Sequence, residues 1–365
     1  MATVPVGIIS GVANAVGRPD LLLPIIAGFG EVDSAEPSHA MWDMGRLVRS
    51  NDDLTAEFEK GITGLIDRLL QSESPETTEF LKAFEHFIYE YGSRGPNEWE
   101  ARSPSWETRP ELALNAIDRM RLAGDELAPK TQNAERATQR EQAATELLSL
   151  VETDPEVHGE LAVGIAASAA WLPARERTKT NNIRLIHEMR MIMRAIGARM
   201  VEKNAFDEIE DFGFVTEEEY ASLFKEPTSM LNIIRSRRDE YYKLLEREAQ
   251  FLFDGQADHP DTWRRRDAVS EDVLAEGEAL QGMPGCTGSA EGTARVILDS
   301  NDPTSLQPGD ILVAPLTDPS WTPLFVPAAA VVVDVGAPLS HAIIVSRELG
   351  IPCVVSATDA TRRIP

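Results

Sequence analysis

The stretch VGAPLSHAIIVSRELGIPCVVSA, residues 335–357, decides how the C-terminal part of the chain folds. A glycine-containing turn is followed by apolar residues at helical spacing, then by Gly350 and a β-branched run, which predicts a loop, a helix over residues 340–349 and a strand. Ser340 is suited to cap the helix, so that His341 lies in its first turn. There the helix dipole favours a neutral imidazole and suits a bound phosphate. A lone histidine at a helix start is otherwise an ordinary solvated residue.

Composition and charge exclude several classes of protein. The 365 residues carry 60 acidic and 35 basic side chains, a formal net charge of −25, which argues against a nucleic-acid partner because phosphate backbones need basic patches. Two cysteines make no disulfide framework and fit a reducing compartment. The N-terminus has no basic region typical of a signal peptide, and no apolar run has the length of a membrane span. We therefore expect a cytoplasmic protein with no membrane contact.

The pattern changes once along the chain, which predicts a multi-domain protein of α plus α/β class. Residues 1–254 read as a large, mainly helical domain and residues 255–281 as a polar linker. Residues 282–365 read as a small β/β/α domain. Its expected strands are the apolar runs at residues 293–299, 310–315, 329–336 and 353–358.

Within the helical domain, the residues 229–253 predict one long helix, and no strand is expected before residue 280. An apolar stripe at helical spacing also predicts a buried helix face. Its members are Ile183, Ile186, Met189, Ile192, Met193, Ile196 and Met200.

The segment over residues 282–365 resembles the swivelling phosphohistidine domain of the PEP-utilising enzymes, which include PEP synthase, pyruvate phosphate dikinase and rifampicin phosphotransferase. The resemblance rests on GCTGSAEGTARVI, GDILVAPLTDPSWTPLF and GAPLSHAIIVSRELGIPCVV. It implies that His341 is a nucleophile that is transiently phosphorylated and carries the phosphoryl group between two sites. Ser340 is expected to cap the helix and contact the phosphate, within a loop that includes Gly336 and Ala337. Ala337 stands where the family has a second glycine, and the family's next strand is absent, so we expect the domain to be incomplete at its C-terminal end.

A second resemblance lies in EYGSRGPNEWEARSPSWETRPELAL, residues 90–114. Similar segments occur in the helical domain of rifampicin phosphotransferase-like proteins, where that domain binds the acceptor substrate. The resemblance implies substrate-binding roles for Arg94, Glu98 and Trp99, although Ser93 stands where many relatives have a histidine. The alternative is a rigid, proline-punctuated loop that packs its tryptophans on the helices.

The segment ARERTKTNNIRLIHEMR, residues 174–190, adds Arg175, Glu176 and Lys179 at a helix start, with His187 on the polar side of the apolar stripe. Relatives have a similar element, and a basic cluster facing a cleft would receive an anionic phosphohistidine. These four residues are therefore candidate substrate-binding residues. An ion-paired, solvated helix face is the alternative.

No segment has the glycine-rich strand and loop or the paired carboxylates that an ATP-grasp domain needs, and no metal site is expected within the chain. We therefore expect one component of a dikinase-like phosphotransferase that is inactive alone. Its ATP and Mg²⁺ would bind on an ATP-grasp domain or subunit outside this chain, and a small-molecule acceptor on the helical domain. A non-catalytic binding relic of such an enzyme, or a PEP-charged phosphocarrier, are the alternatives.

Overall fold

The computed structural model divides the chain into two compact units. Unit 1 comprises Met1–Glu98, Ser103–Arg184 and Leu274–Pro365, and unit 2 comprises Trp99–Arg102 and Leu185–Val273. The residues outside the description are 1–2, 30–31, 126–127, 251–252, 267, 269–271, 301–305, 319–320 and 338–339, with the side chains of residues 129–135. Both units take up part of the expected linker, and the domain boundaries drawn from the sequence stay predictions.

The chain is mainly helical up to residue 245, as the sequence predicts. The α-helices there are α1 (Thr3–Ala15), α2 (Leu22–Ile25), α3 (Glu36–Arg49), α4 (Asp52–Glu59), α5 (Leu65–Leu70), α6 (Pro75–Tyr91), α7 (Glu111–Leu122), α8 (Pro129–Leu150), α9 (Pro155–Glu202), α10 (Tyr220–Lys225) and α11 (Leu231–Leu245). Short 3₁₀ turns cover Pro19–Leu21, Ile209–Phe214, Glu217–Glu219, Pro227–Met230 and Pro260–Thr262. Among the described helices, none combines the length and apolarity needed to cross a membrane.

Helix α6 shows how local sequence builds the core of unit 1. Ser74 caps the helix, since its hydroxyl accepts a hydrogen bond from the backbone of Thr77, and a proline opens the first turn. Phe80, Phe84 and Phe87 then recur at helical spacing and stack along one buried face, with ring centroids 6.1 and 6.2 Å apart. These rings bury the apolar area that fixes α6 against its neighbours.

The described part of residues 282–365 forms a five-stranded mixed sheet with helices between its parallel strands. The elements are β3 (Met283–Cys286), β4 (Ala294–Val296), β5 (Ile311–Ala314), α12 (Thr322–Phe325), β6 (Ala330–Val333), α13 (His341–Leu349), β7 (Cys353–Val355) and α14 (Ala360–Arg363). The strand order is β3-β7-β6-β5-β4, in which only β3 runs antiparallel to its neighbour. Strands β4 to β7 match the four runs predicted as strands, and the fold class is confirmed.

The strand β3 is missing from the sequence-based prediction because Pro284 and Gly285 weaken a strand pattern. Both are tolerated at the edge of the sheet, where the register with β7 shifts at a bulge between Pro284 and Cys286. One buried cluster joins the sheet to the helices of unit 1. Phe325 of α12 belongs to the same buried cluster as Met41 of α3.

Unit 2 corrects three expectations. The long helix expected over residues 229–253 ends at Leu245, and residues 251–252 lie outside the described part. The two-residue strands β1 (Arg247–Glu248) and β2 (Arg264–Arg265) pair antiparallel, so strand structure does occur before residue 280. On the apolar stripe, Met200 is buried, whereas Met189 and Ile192 are 58% and 61% exposed.

Part of the apolar stripe is exposed because the stripe extends further along α9 than the core that packs on it. The core of unit 2 is built from Phe206, Phe212, Phe214, Leu223, Met230 and Ile234, and it covers only the C-terminal end of α9. Apolar spacing predicts a helix face, but the extent of its burial depends on which other elements pack there.

The aromatic row of α6 yields a stability prediction. Phe87 is 1% exposed and its ring lies 5.4 Å from the ring of Trp106. We expect Phe87→Ala to lower the free energy of unfolding by about 3–5 kcal/mol, because truncation leaves a cavity in a packed core. Urea denaturation followed by circular dichroism measures the change. Tyr89→Ala, on the same helix but 83% exposed, is the matched control and should cost less than about 0.5 kcal/mol. Equal losses in the two variants would contradict the assignment of Phe87 to the core.

Candidate functional site

His341 is the first residue of α13, which follows the carboxyl end of the parallel strand β6. Crevices outside the carboxyl ends of parallel strands are the usual position of ligand sites in such sheets. Ser340 occupies the N-cap position with extended backbone, and Gly350 ends the helix in the left-handed conformation. The helix boundaries predicted from the sequence are therefore confirmed to within one residue.

Two threonine hydroxyls hold the His341 ring from opposite sides. Nδ1 lies 3.1 Å from Oγ1 of Thr317, and Nε2 lies 3.1 Å from Oγ1 of Thr322. Because a hydroxyl both donates and accepts, this pair suits a neutral ring with one N–H and one free lone pair, in either tautomer. The ring of Phe325 meets the imidazole edge to face at 5.9 Å. These contacts fix the plane of the ring.

The surroundings keep the ring unprotonated. Burial lowers the pKa of His341 well below its usual value, because the charged imidazolium loses hydration. The positive charges of Lys179 and, to a smaller degree, Arg94 lower this pKa further. The ring is therefore neutral near pH 7, the form in which a nitrogen lone pair is available for reaction.

Those two cations belong to a buried cluster in the helical part of unit 1. Arg94 Nε donates to Glu98 Oε2 at 2.6 Å, and Lys179 Nζ lies 3.3 Å from Glu98 Oε1. Arg94 also donates to Thr180 Oγ1 at 3.1 Å. Glu98 thus binds both of the cations whose charges lower the pKa of His341.

The loop that presents Arg94 and Glu98 has a tightly determined backbone. Asn97 is left-handed, with φ of 49°, a conformation that asparagine tolerates better than most residues. At Gly95 an added Cβ would lie 2.7 Å from the carbonyl oxygen of Pro104, so that only glycine allows this approach. The local fold brings the Arg94 and Glu98 side chains into contact four residues apart.

The loop before His341 departs from the sequence-based expectation in one detail. Ser340 is at the N-cap position, but its side chain makes no capping hydrogen bond, and within the described part of the chain its buried Oγ has no hydrogen-bond partner. At Gly336 an added Cβ would lie 2.6 Å from Cβ of Val355, which explains the glycine by close packing. Ala337 is exposed, and its carbonyl accepts a hydrogen bond from the Ser340 backbone at 2.7 Å.

The structure brings together some of the expected substrate-binding residues and separates others. Arg94, Glu98 and Lys179 form the cluster just described. Arg175 pairs with its neighbour Glu176. Trp99 and His187 belong to unit 2, outside the compact unit that contains His341.

His187 also corrects an expectation. The sequence predicts that His187 lies on the polar side of its helix, yet the residue is buried, and its Nδ1 accepts a hydrogen bond of 2.9 Å from Arg190 Nη1. An arginine always donates, so the contact with Arg190 places the proton of a neutral His187 ring on Nε2.

Trp99 is 54% exposed.

Sequence reasoning did not single out Thr317, Thr322 or Thr180. Threonine is common and its hydroxyl has no spacing signature, so only its contact with the histidine or the arginine identifies it. Thr317 and Thr322 do lie within the segment GDILVAPLTDPSWTPLF that carries the family resemblance, which was the one available signal. Across the described residues, no group of three or more His, Cys, Asp or Glu side chains could hold a metal ion.

Comparisons with known proteins agree with this architecture. Residues 2–176 match the family model described as the fourth domain of rifampicin phosphotransferase, and residues 306–365 match the mobile domain of the PEP-utilising enzymes. The chain is 30% identical over 338 residues to a rifampicin phosphotransferase of Streptomyces sviceus. It is 28% identical to an uncharacterised phosphotransferase, YvkC, of Bacillus subtilis and 28% identical to the prodigiosin synthesizing transferase PigC of Serratia marcescens.

The matches cover almost all of this chain but a smaller part of each relative. They include 91% of the chain for the Streptomyces and Bacillus proteins and 93% for the Serratia protein. The chain spans 38%, 40% and 38% of the length of those three relatives, respectively. The two matched regions lie in the order that the resemblance implied, a helical region followed by the mobile domain. The chain therefore contains a region similar to the fourth domain of rifampicin phosphotransferase, followed by the mobile domain of the PEP-utilising enzymes.

Proposed function

We propose that the chain is the acceptor and carrier part of a dikinase-like phosphotransferase, in which His341 carries a phosphoryl group from ATP to a hydroxyl acceptor bound by the helical region. The observation that carries the proposal is the His341 ring at the start of α13, held between the hydroxyls of Thr317 and Thr322. Burial and the charges of Lys179 and Arg94 lower its pKa, which favours the neutral ring. A neutral imidazole can attack phosphorus, and the two cations stabilise the negative charge of the phosphoryl oxygens that it then carries.

In the first half-reaction a ring nitrogen of His341 attacks the phosphorus of the donor. An N–P bond forms, the P–O bond to the leaving group breaks, and the other ring nitrogen keeps the proton. One of the two threonine contacts must open, since the phosphoryl group takes the place of a hydroxyl at the attacking nitrogen. The contact at the other nitrogen holds the ring in position.

In the second half-reaction a hydroxyl oxygen of the acceptor attacks the phosphorus, and the N–P bond breaks. The bonding electrons return to the ring nitrogen, and the hydroxyl proton is lost to solvent. Lys179 and Arg94 stabilise the phosphoryl oxygens during this transfer, because charge-assisted hydrogen bonds are the strong ones. The acceptor in this proposal is a small molecule with a free hydroxyl; the name of the rifampicin phosphotransferase relatives supports a small-molecule acceptor.

The loop before His341 supplies a second contact. The buried Oγ of Ser340, without a partner among the described residues, is free to donate to a phosphoryl oxygen. The close packing of Gly336 on Val355 sets the path of the backbone that leads to this serine. Ala337 contributes its carbonyl to the turn.

ATP and Mg²⁺ belong, in this proposal, to an ATP-grasp domain or subunit outside the chain. Mg²⁺ prefers several oxygen ligands, and the described residues contain no cluster that fits it. We therefore assign no step of this chain's chemistry to a metal, and the chain alone is expected to be inactive with ATP. The buried free cysteines Cys286 and Cys353 fit a reducing, cytoplasmic setting.

Labelling of His341 tests the proposal directly. Phosphoramidate, a small P–N donor, should transfer its phosphoryl group to the His341 ring with release of ammonia. The label should be acid-labile, should be located at His341 by mass spectrometry and should be absent from His341→Ala. His259→Ala, which removes an exposed histidine with 75% side-chain exposure, should keep it.

The physiological donor needs a second arm of the same experiment. With labelled ATP, Mg²⁺ and an ATP-grasp domain supplied as a separate polypeptide, the same acid-labile label should appear. Label from phosphoramidate but not from ATP with an active partner would contradict ATP as the donor. No label from either source would leave a binding relic as the better account.

The depressed pKa of His341 predicts an unusual titration. A lowered pKa means that the ring gains its proton only at more acidic pH, so His341 should gain less positive charge than a free imidazole between about pH 7.5 and about pH 5.5. Free N-acetylhistidine, with a pKa of about 6.5, changes from mostly neutral to mostly charged over that range. The ring Cε1–H shift in NMR, assigned with His341→Ala, measures both. A midpoint at or above that of N-acetylhistidine is the contrary result.

Removing the cation with the larger effect on His341 should partly reverse the lowering of its pKa. We expect Lys179→Gln to raise the pKa of His341, because the charge of Lys179 lowers this pKa more than the charge of Arg94 does. The same NMR titration gives the comparison with wild type. Lys225→Gln, which removes a lysine from α10, is the control and should leave the midpoint unchanged. An unchanged midpoint in Lys179→Gln would show that Lys179 does not act on the ring.

A further inference from the structure

We propose that Asp318 and Glu348 are positioning residues that together hold the α/β fold of residues 282–365 against the helical part of unit 1, so that His341 faces Lys179. The inference deepens the proposed function, since it names the contacts that present the carrier histidine to the acceptor side. It rests on two carboxylates of the α/β fold, Asp318 and Glu348. Each accepts hydrogen bonds from backbone N–H groups in the helical part of unit 1.

The first contact joins the two halves of the site through neighbouring residues. Asp318 Oδ2 accepts a hydrogen bond of 2.8 Å from the backbone N–H of Asn97. Asp318 directly follows Thr317, which holds the His341 ring, and Asn97 directly precedes Glu98, which holds Lys179. The contact therefore sets the distance between the ring and the cation cluster. On one side only Thr317 lies between the contact and the ring, and on the other side only Glu98 lies between the contact and Lys179.

The second contact lies further along the helix that begins with His341. Glu348, about two turns into α13, accepts a hydrogen bond of 3.2 Å from the backbone N–H of Gly28 through Oε1, and it also bonds the backbone of Phe29. The side chain is almost completely buried, beside Leu172 and Pro173 of α9. This contact fixes the direction of α13, and with it the direction of the ring at its start.

Both recognised amides belong to left-handed residues. Gly28 has φ of 67° and Asn97 has φ of 49°. At Gly28 an added Cβ would lie 2.5 Å from the backbone carbon of Arg136, so the position requires glycine. Each left-handed residue turns its N–H out of the local backbone pattern, where a carboxylate from another body can accept it.

Burial of Glu348 has an electrostatic cost that its hydrogen bonds offset in part. Burial raises the pKa of Glu348 to about 7, although the bonds from Gly28 and Phe29 and the charges of Arg140 and Arg347 oppose the rise. The carboxylate has lost hydration, and the backbone N–H groups replace part of it.

Amide hydrogen exchange on the full chain tests whether the contacts act together. Asp318→Ala should speed exchange at the Asn97 amide by about tenfold or more and also at the distant Gly28 and Phe29 amides. Glu348→Ala should do the converse. This cross-effect is the decisive readout, because a merely local hydrogen bond protects only its own amide. If each variant affects only its own amide, the positioning role is overturned.

Matched variants separate positioning from misfolding. Asp239→Ala removes an exposed carboxylate from α11, and Asn97→Gly keeps both the amide and the left-handed backbone, so neither should change exchange. Glu348→Gln keeps a carbonyl acceptor and should restore most of the protection lost in Glu348→Ala. If Glu348→Ala also exposes the α6 amides, Asp318→Leu decides, because it removes both carboxylate oxygens and keeps a side chain of similar size. Faster exchange at Gly28 is expected, and no change would overturn the inference. Exchange does not depend on phosphorylation, so its failure and failure of the labelling experiment are distinct results.

Discussion

The parallel pairing of β5 with β6 is the constraint on which the position of the His341 ring, between the hydroxyls of Thr317 and Thr322, depends. Thr317 follows β5, Thr322 opens α12 and His341 opens α13, so the three side chains meet only because β5 and β6 are parallel neighbours. Parallel pairing places the segments after both strands at one edge of the sheet. The register of that pairing therefore determines the geometry of the ring.

Electrostatics gives the ring its chemical character. Burial and the charges of Lys179 and Arg94 all disfavour the imidazolium, and the same charges favour an anion at that position. Glu98 tempers this field, since it pairs with both cations and keeps them in place. In the proposed function, this arrangement keeps the His341 ring neutral before reaction and stabilises the negative charge that a phosphoryl group brings, which is the combination that phosphoryl transfer needs.

The fit between the histidine-bearing fold and the helices depends on apolar and polar contacts with different roles. Phe325 joins the buried cluster of the helices and supplies apolar area without direction. Asp318 and Glu348 accept from defined backbone N–H groups and supply direction. The shared core supplies attraction, and the two carboxylates supply the register.

By itself, the sequence determined the helix over His341–Leu349, the four strands β4 to β7 and the family resemblance, because these depend on local spacing and glycine positions. The parallel pairing of those strands came only from the tertiary structure. The sequence missed β3, where Pro284 and Gly285 hide an edge strand, and it overstated the burial of the stripe that includes Met189. Only the tertiary structure decided the partners of His341, the burial of His187 and the pairing of Lys179 with Glu98. Those contacts join residues from different elements, and no local pattern encodes a distance that packing alone sets.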